Sequence, residues 1–324
     1  PLCCALYGHP PLRTLTVRRM MINGVGRSSA DAGLQALSLV LRDSRVLEVL
    51  QLQNCGLESR HIVPLCSELT ELPVRLKELD LSGNKIADAG LIALAQVLAH
   101  PEVTLERLDM SGNALEEGGV AALARALSLS SGLRTVKLAS HALPIQELKT
   151  GSRVDMDGQK LTDFDLQFMA EVLSAAGGED GVPTIDGFSA AYNGITEKGA
   201  AMLAAALGAN KLRVLQLNLR GNKIGREGAL ALCEAMRAAQ ATWRLALLDL
   251  SDNGICGLGE DGEGKYSADV VFAICSLLRS PDNALRSLKI GQNQLCGVNW
   301  QGAARTRRRR WGRCARRCSR RSAG

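Results

Sequence analysis

Apolar residues recur along the chain in a two-part pattern, a short stretch of period two followed by a longer stretch of helical spacing. In residues 76–84 the apolar positions are Leu76, Leu79 and Leu81, and Asn84 follows them. Residues 90–98 then carry apolar side chains at helical spacing. Period two predicts a strand with one buried face, and the second stretch predicts a helix with one apolar side.

The same pattern returns after 29 residues, from Asn84 to Asn113, and we count ten copies, six of them with Asn at this place. A side-chain amide can satisfy backbone groups that a turn leaves unpaired, which predicts a structural role there. The predicted structural turn residues are Cys55, Asn84, Asn113, Asn193, Asn222, Asn253 and Asn293. Met20, His141 and Gln159 take the place of Asn in the weaker copies.

The pattern LxxLxLxxNxL with a helical second half resembles the leucine-rich repeat of the ribonuclease-inhibitor type, which also occurs in NLR-type receptors and Ran GTPase-activating proteins. The resemblance covers residues 12–302. It implies an α/β horseshoe solenoid with a parallel β-sheet on the concave face, helices on the convex face and about ten repeats of 28–29 residues. We therefore expect one repeat array over residues 1–302.

The array is irregular in three places. The repeat near 133–150 is truncated, and we expect no helix after Leu143 and a division of the array into two blocks there. Loop insertions are predicted near 256–266 and 296–302. The first insertion places Gly259, Gly264 and Lys265 at the spacing of a phosphate-binding loop, but Tyr266 replaces the Ser or Thr of that motif and three acidic residues would repel phosphate. A rim loop is the better interpretation.

The net charge of +6 comes from the last residues, because 303–324 hold ten Arg and no acidic residue. The rest of the chain has 29 basic and 33 acidic residues, a net charge of −4. One permitted set of codons for 303–319, read from its third base, begins Gly-Thr-Tyr-Ser-Ala and aligns with the repeat helix at 264–278. We therefore interpret 303–324 as a frameshift product; the alternative is a disordered basic arm that binds nucleic acid.

Catalytic and metal chemistry are not indicated. The four His are scattered, the ten Cys form no CxxC pair, and we find no nucleophile motif. Cys55, Cys66, Cys233 and Cys275 fall at buried repeat positions, which favours reduced thiols over a disulfide framework. We expect no enzyme activity, no cofactor and no metal.

The strand positions between the buried Leu residues point into the predicted concavity, and with their neighbours they form a polar face of mixed charge that is typical of protein recognition. The alternative is that these side chains are merely solvated, above all Asp80, Asp109 and Asp249. Tyr192 is the one aromatic candidate. The candidate partner-binding residues are Gln51, Lys77, Glu78, Asp80, Arg107, Asp109, Arg134, Lys137, Asp155, Tyr192, Asn218, Arg220, Asp249, Asp252, Arg286 and Lys289.

The sequence therefore predicts a non-catalytic scaffold or sensor module that binds a partner protein of unknown identity. A regulator of a small GTPase, by analogy with the Ran activators, is one alternative. A nucleic-acid-associated protein is another if the Arg tail is genuine. We expect no small-molecule substrate and no membrane span, and a cytoplasmic location, or a nuclear one with a genuine tail.

Overall fold

The chain forms two compact units, one of residues 1–150 with 167–178 and the other of 151–166 with 179–324. The structure is a computed structural model that describes residues 12–19, 37, 46–71, 75–100, 102–129, 132–149, 153–175, 184–209, 213–238, 245–258, 265–281 and 283–295. The tail 303–324, the insertion 296–302 and residues 259–264 of the other insertion lie outside the described residues. Their assignment as separate segments stays a prediction.

Strands and helices alternate in the first unit, as the repeat pattern predicts. Its elements are β1 (Thr14–Arg18), β2 (Val49–Gln53), α1 (Ser59–Glu71), β3 (Glu78–Asp80), α2 (Asp88–Leu98), β4 (Arg107–Asp109), α3 (Glu117–Leu129), β5 (Thr135–Lys137), β6 (Ala142–Pro144) and α4 (Ile145–Lys149). The strands form one six-stranded sheet in the order β1-β2-β3-β4-β5-β6. The pairs from β1 to β5 are parallel.

The end of this sheet corrects two expectations. Strand β6 runs antiparallel to β5, and the five-residue helix α4 follows Leu143, where we expected no helix. Only residues 138–141 connect β5 to β6, which is too few for the crossover that a parallel neighbour needs. The chain therefore turns back as a hairpin.

The second unit repeats the alternation. Its elements are β7 (Val154–Asp155), the first turn of α5 (Asp163–Ala175), β8 (Thr184–Ile185), β9 (Phe188–Ser189), α6 (Glu197–Gly208), β10 (Arg213–Val214), β11 (Gln216–Asn218), α7 (Gly225–Ala238), β12 (Leu247–Asp249), α8 (Asp269–Leu278) and β13 (Ser287–Lys289). A five-stranded parallel sheet has the order β13-β12-β11-β9-β7, and β8 pairs with β10.

Stacked aliphatic layers form the core. Leu50 and Leu52 are fully buried, and Leu79 and Leu81 repeat them in the next strand. Burial of each such side chain contributes about 2 kcal/mol. Because no single repeat can enclose its own Leu residues, the stability comes from stacking of neighbouring repeats.

Glycines at the start of the helices let adjacent helices approach closely. A Cβ on Gly90 would lie 3.2 Å from the Cα of Ser59 in the preceding helix, and one on Gly228 would lie 3.1 Å from the Cα of Glu197. Any larger residue would push these helices apart. The pattern predicted Gly90 as a helix entry, and the close approach gives that glycine its physical reason.

None of the cysteines in the described part of the chain forms a disulfide. Cys55, Cys66 and Cys233 are buried as expected, but Cys275 is only half-buried because its helix, α8, leaves that side partly open. Burial raises the pKa of Cys66 to about 12. Burial, and then the charge of Glu234, raises the pKa of Cys233 to about 11. Both thiols are therefore protonated at neutral pH.

Candidate protein-binding surface

The sheet register aligns the candidate residues that lie between buried strand positions. In the first unit the row runs Thr16, Gln51, Asp80, Asp109 and Lys137. In the second unit it runs Asp155, Ser189, Asn218, Asp249 and Lys289. One polar side chain per repeat thus occupies the middle of each sheet face.

Five members of these rows accept a hydrogen bond in the turn after their own strand. An Oδ1 atom accepts from the backbone N–H two residues later at 2.9–3.2 Å. The five are Asp80, Asp109, Asp155, Asn218 and Asp249. Asp80 and Asp249 are also buried. These side chains are hydrogen-bonded to the turns at the ends of their own strands, so only part of the predicted face is open to a partner.

The charged candidates of the first unit are paired across strands. Arg107 contacts Glu78 at 2.9 Å, and Lys137 contacts Asp109 at 3.3 Å. Gln51 donates to Glu78 at 2.8 Å and accepts from Thr16 at 3.1 Å. Gln53, which the sequence did not single out, donates to Asp80.

A second row of charges lies just before the strands. Lys77 and Arg13 both contact Glu48, at 3.1 and 3.7 Å, and Arg134 contacts Glu106 at 3.6 Å. Lys77 and Arg134 were predicted as candidates, whereas their partners Glu48 and Glu106 were not. The spacing of 29 residues between Glu48 and Lys77 is the signal that could have found them, because residues one repeat apart become neighbours.

The other candidates lie at the margins of the second sheet. Arg286 precedes β13 and is exposed, whereas Tyr192 and Asp252 stand in turns that follow strands. Arg220 also follows its strand, β11. Lys289, on β13, contacts Asp249 at 3.8 Å. These margin positions separate Tyr192, Arg220, Asp252 and Arg286 from the central row.

Each turn Asn binds backbone groups of two consecutive repeats. The Oδ1 of Asn84 accepts from the N–H groups of Cys55 and Leu57 at 2.9 and 3.1 Å. Its Nδ2 donates to Leu52 O of the preceding repeat at 2.8 Å and to Leu81 O of its own repeat at 2.7 Å. Equivalent bonds are made by Asn113, Asn193, Asn222, Asn253 and Asn293.

Cys55 supplies part of the same bonding with a thiol. Its Sγ lies 3.4 Å from both Val17 O of the preceding repeat and Gln53 O of its own, and its single S–H can donate to either carbonyl. Because a thiol is a weak donor, Cys55 makes weaker bonds to these carbonyls than an amide would. This explains how Cys can stand at an Asn position.

The face of the second unit carries an arginine that spans two strands. Arg153 lies across Gly187, where a Cβ would be 3.2 Å from its Cγ, and its guanidinium donates to Gln216 at 3.4 Å. Asp157 accepts from the Ser189 hydroxyl at 2.6 Å and from Ala191 N–H at 2.7 Å. Arg153 was not among the predicted candidates, because nothing in the repeat pattern indicates that Gly187 leaves space for the arginine side chain.

Tyr192 is the most exposed aromatic side chain of the described residues, at 54% of its surface. Its backbone φ of 55° is left-handed, and the guanidinium of Arg220 lies 5.5 Å from the centre of its ring. The ring rests on the next turn, because a Cβ on Gly221 would lie within 2.4 Å of Tyr192 Cδ1. The side chain is therefore held in one place while half of it faces solvent.

The described part of the chain contains no cluster of His, Cys, Asp and Glu that could hold a metal ion. None of its helices combines the length and the apolar character needed to cross a bilayer.

Comparison with known proteins agrees with the repeat geometry. A family model described as a leucine-rich repeat matches residues 76–95, 103–124 and 211–233. The chain is 27% identical over 304 residues, 90% of its length, to a ribonuclease inhibitor of Sus scrofa, and this match covers 54% of that protein. It is 40% identical over 65 residues to a ribonuclease inhibitor of Mus musculus, which is 20% of this chain and 14% of the mouse protein.

The chain thus spans about half the length of the porcine relative. The matched segments contain strands β3, β4 and β11, the first part of the helix that follows each, and the asparagines Asn84, Asn113 and Asn222. Repeat pattern, register and sequence similarity together identify the chain as a ribonuclease-inhibitor-like leucine-rich-repeat protein.

Proposed function

We propose that the chain is a non-catalytic module that binds a partner protein through the polar faces of its sheets. The observation that carries this proposal is the register, which sets one polar side chain per repeat in a row on each sheet, above a buried aliphatic core. A broad rigid face with distributed charges favours recognition of a folded protein over capture of a small molecule. The name of the porcine relative, ribonuclease inhibitor, supports a protein partner.

Site-specific photo-crosslinking tests which face binds. A photoreactive amino acid replaces Arg107 or Gln216 on the sheet faces, and in matched variants it replaces Gln96 or Glu234, which are exposed on helices. We expect the sheet positions to crosslink one discrete protein in a cell extract and the helix positions not to crosslink it. Equal crosslinking from both faces would contradict the proposal.

A ribonuclease is the first defined partner to test, because the relatives carry that name. Its hydrolysis of RNA is measured with increasing amounts of the chain. Saturating inhibition would identify ribonuclease as a partner. Glu78→Lys reverses a charge on the sheet face and should weaken that inhibition. Unchanged hydrolysis would exclude ribonuclease and direct the search to the crosslinked protein.

A further inference from the structure

A solvent-open hollow of about 610 Å³ lies in the second unit, at the turns that follow β7 and β9. One wall consists of residues 160–164, which lead into α5, and the other consists of residues 192–194. This hollow, which we call the turn hollow, lies beside the sheet face rather than on it, because both walls begin after a strand has ended.

Two exposed aromatic side chains line the turn hollow. Tyr192 is 54% exposed and Phe164 is 37% exposed, and both contribute to its lining. They are the exposed aromatic side chains of the described residues. Aromatic residues that are held rigidly at a surface are the groups on which protein interfaces depend most.

The backbone at Tyr192 is costly for an aromatic residue. Equivalent turns have glycine at this place, as at Gly83, Gly112 and Gly221, and all of them have a positive φ. A left-handed conformation costs a non-glycine residue about 1 kcal/mol. More than half of the residue's surface stays exposed, so packing on Gly221 offsets only part of that cost.

Two cations near the turn hollow have no ion pair in the described part of the chain. Lys160 lines the hollow and is exposed, and Arg220, which is half-buried, stands over the Tyr192 ring. Neither has an ion-pair partner among the residues that the structure describes. In this respect they differ from Arg107 and Lys137, which are paired with acids on neighbouring strands.

The acidic groups near the turn hollow are already bound to its own backbone. Asp163 accepts from Thr196 N–H at 2.8 Å and from its hydroxyl at 2.6 Å. Asp165 is buried and accepts from Thr162 N–H and its hydroxyl, both at 2.8 Å. These carboxylates hold the loop, whereas Lys160 and the part of Arg220 that reaches solvent are available to an anionic partner.

We propose that the turn hollow binds an acidic, extended segment of a partner protein. An apolar side chain of that segment packs between Tyr192 and Phe164, and its carboxylates pair with Lys160 and Arg220. This inference rests on the proposed function only for the class of partner, and it adds a second contact site with its own chemistry.

The test uses the full chain and an array of short peptides with Leu or Tyr at the centre, flanked by Glu in one set and by Gln in the other. The tightest peptide is then measured by fluorescence anisotropy with its Gln counterpart. We expect the Glu peptide to bind about tenfold more tightly than the Gln peptide, and increasing salt to weaken its binding.

Tyr192→Gly should weaken the binding of that peptide by about tenfold or more. Lys160→Gln should weaken it by several-fold, because it removes one charge pair. Gln292→Gly is the matched control, since Gln292 occupies the same kind of turn with a φ of 57°, and it should leave binding unchanged.

Three results would overturn the proposal. They are equal binding of the Glu and Gln peptides, equal losses in Tyr192→Gly and Gln292→Gly, and a single-stranded oligonucleotide that displaces the peptide and binds more tightly in a Tyr192-dependent way. Crosslinking from Arg107 and Gln216 distinguishes failure of the turn-hollow proposal from failure of the sheet-face proposal. Tyr192→Gly leaves those crosslinks intact when the sheet faces bind independently of the turn hollow.

Discussion

The first sheet and the turn hollow of the second unit use charge in opposite ways. On the first sheet Arg107 and Lys137 each contact a carboxylate one strand away. At the turn hollow Lys160 and Arg220 have no such partner in the described residues, and an exposed tyrosine stands between the two turns. The two surfaces therefore offer a partner different chemistry, because the paired charges of the first sheet must exchange partners on binding whereas those at the turn hollow have no described ion pair to break.

Both units have turn asparagines that hydrogen-bond the backbone of consecutive repeats, and we expect their removal to cost the two units equally. Asn84→Ala in the first unit and Asn222→Ala in the second each leave two N–H groups and one C=O group of the preceding repeat without their side-chain partner. The other C=O group, Leu81 O or Leu219 O, still accepts from the next turn asparagine. We expect each to lower the free energy of unfolding by about 3 kcal/mol or more, since each unsatisfied buried group costs about 1–3 kcal/mol. Urea denaturation measures the loss.

Gln216→Ala serves as the control, because Gln216 is exposed and accepts a single bond at 3.4 Å. A loss below about 1 kcal/mol at either asparagine would mean that water replaces the amide there. Unequal losses would show that the two units differ in their framework and not only in their surfaces.

The buried thiols test the same point through pH. Cys66 in the first unit and Cys233 in the second have folded pKa values of about 12 and about 11, above the ordinary value of 9.0. The unfolded chain therefore loses these protons first as pH rises, and stability that is fully present below pH 9 is lost above it. Each thiol lowers the free energy of unfolding by about 1 kcal/mol per pH unit there.

Denaturation at pH 8 and pH 10 measures the slope, and Cys66→Ala should make it shallower by the contribution of one thiol. An unchanged slope would mean that Cys66 reaches solvent in the native state. Cys275→Ala is the matched control, because Cys275 is only half-buried.

The close approach of the helices gives a prediction of intermediate size. Gly90→Ala in the first unit and Gly228→Ala in the second place a Cβ within 2.6 and 2.8 Å of an isoleucine Cγ2 and close to a neighbouring Cα. Overpacking of this kind costs about 1–3 kcal/mol. Gly194→Ala is the control, because its Cβ would have an ordinary contact of 3.5 Å with Leu161 O. Thermal unfolding of the three variants checks the order, and a loss at Gly194 as large as at Gly90 would contradict it.

The smallest expected loss of stability is at Lys137. Its comparison with Asp109 distinguishes ion pairing across strands from hydrogen bonding within a turn. Lys137→Ala removes one half of a partly exposed ion pair and should change stability by less than about 0.5 kcal/mol. Asp109→Ala also removes the bonds to the Ser111 N–H and hydroxyl and should cost about 1–2 kcal/mol. Urea denaturation compares them, and equal losses would mean that Asp109 serves only the ion pair.

Much of the fold could be predicted from the sequence because the repeat pattern is local. Alternating Leu residues indicated the strands, and the spacing after each turn indicated the helices. The antiparallel strand β6 could not be predicted, since its direction depends on the short connection after β5 and not on its own residues. The bonds of Asn84 to the preceding repeat were also missed, because a pattern within one repeat carries no information about its neighbour.

The candidate site could be predicted only in part for a similar reason. Period two indicated which side chains share a face, and the register aligned them as a row. It could not indicate that Asp80 is committed to its own turn, or that Glu48 lies beside Lys77, because those facts depend on distances between strands. Phe164 was not predicted because it belongs to a helix, whereas the candidate positions were derived from the strands and the turns that follow them.

In nine turns a left-handed residue precedes the turn asparagine or the residue that replaces it, and this has an evolutionary consequence. Its backbone angle is fixed by the surrounding turn, so the side chain there can change without altering the main-chain path. Nine such positions have a positive φ: Arg19, Asn54, Gly83, Gly112, Gly158, Tyr192, Gly221, Asp252 and Gln292. These positions are places where new specificity can arise by single substitutions, one repeat at a time, on a scaffold that stays the same.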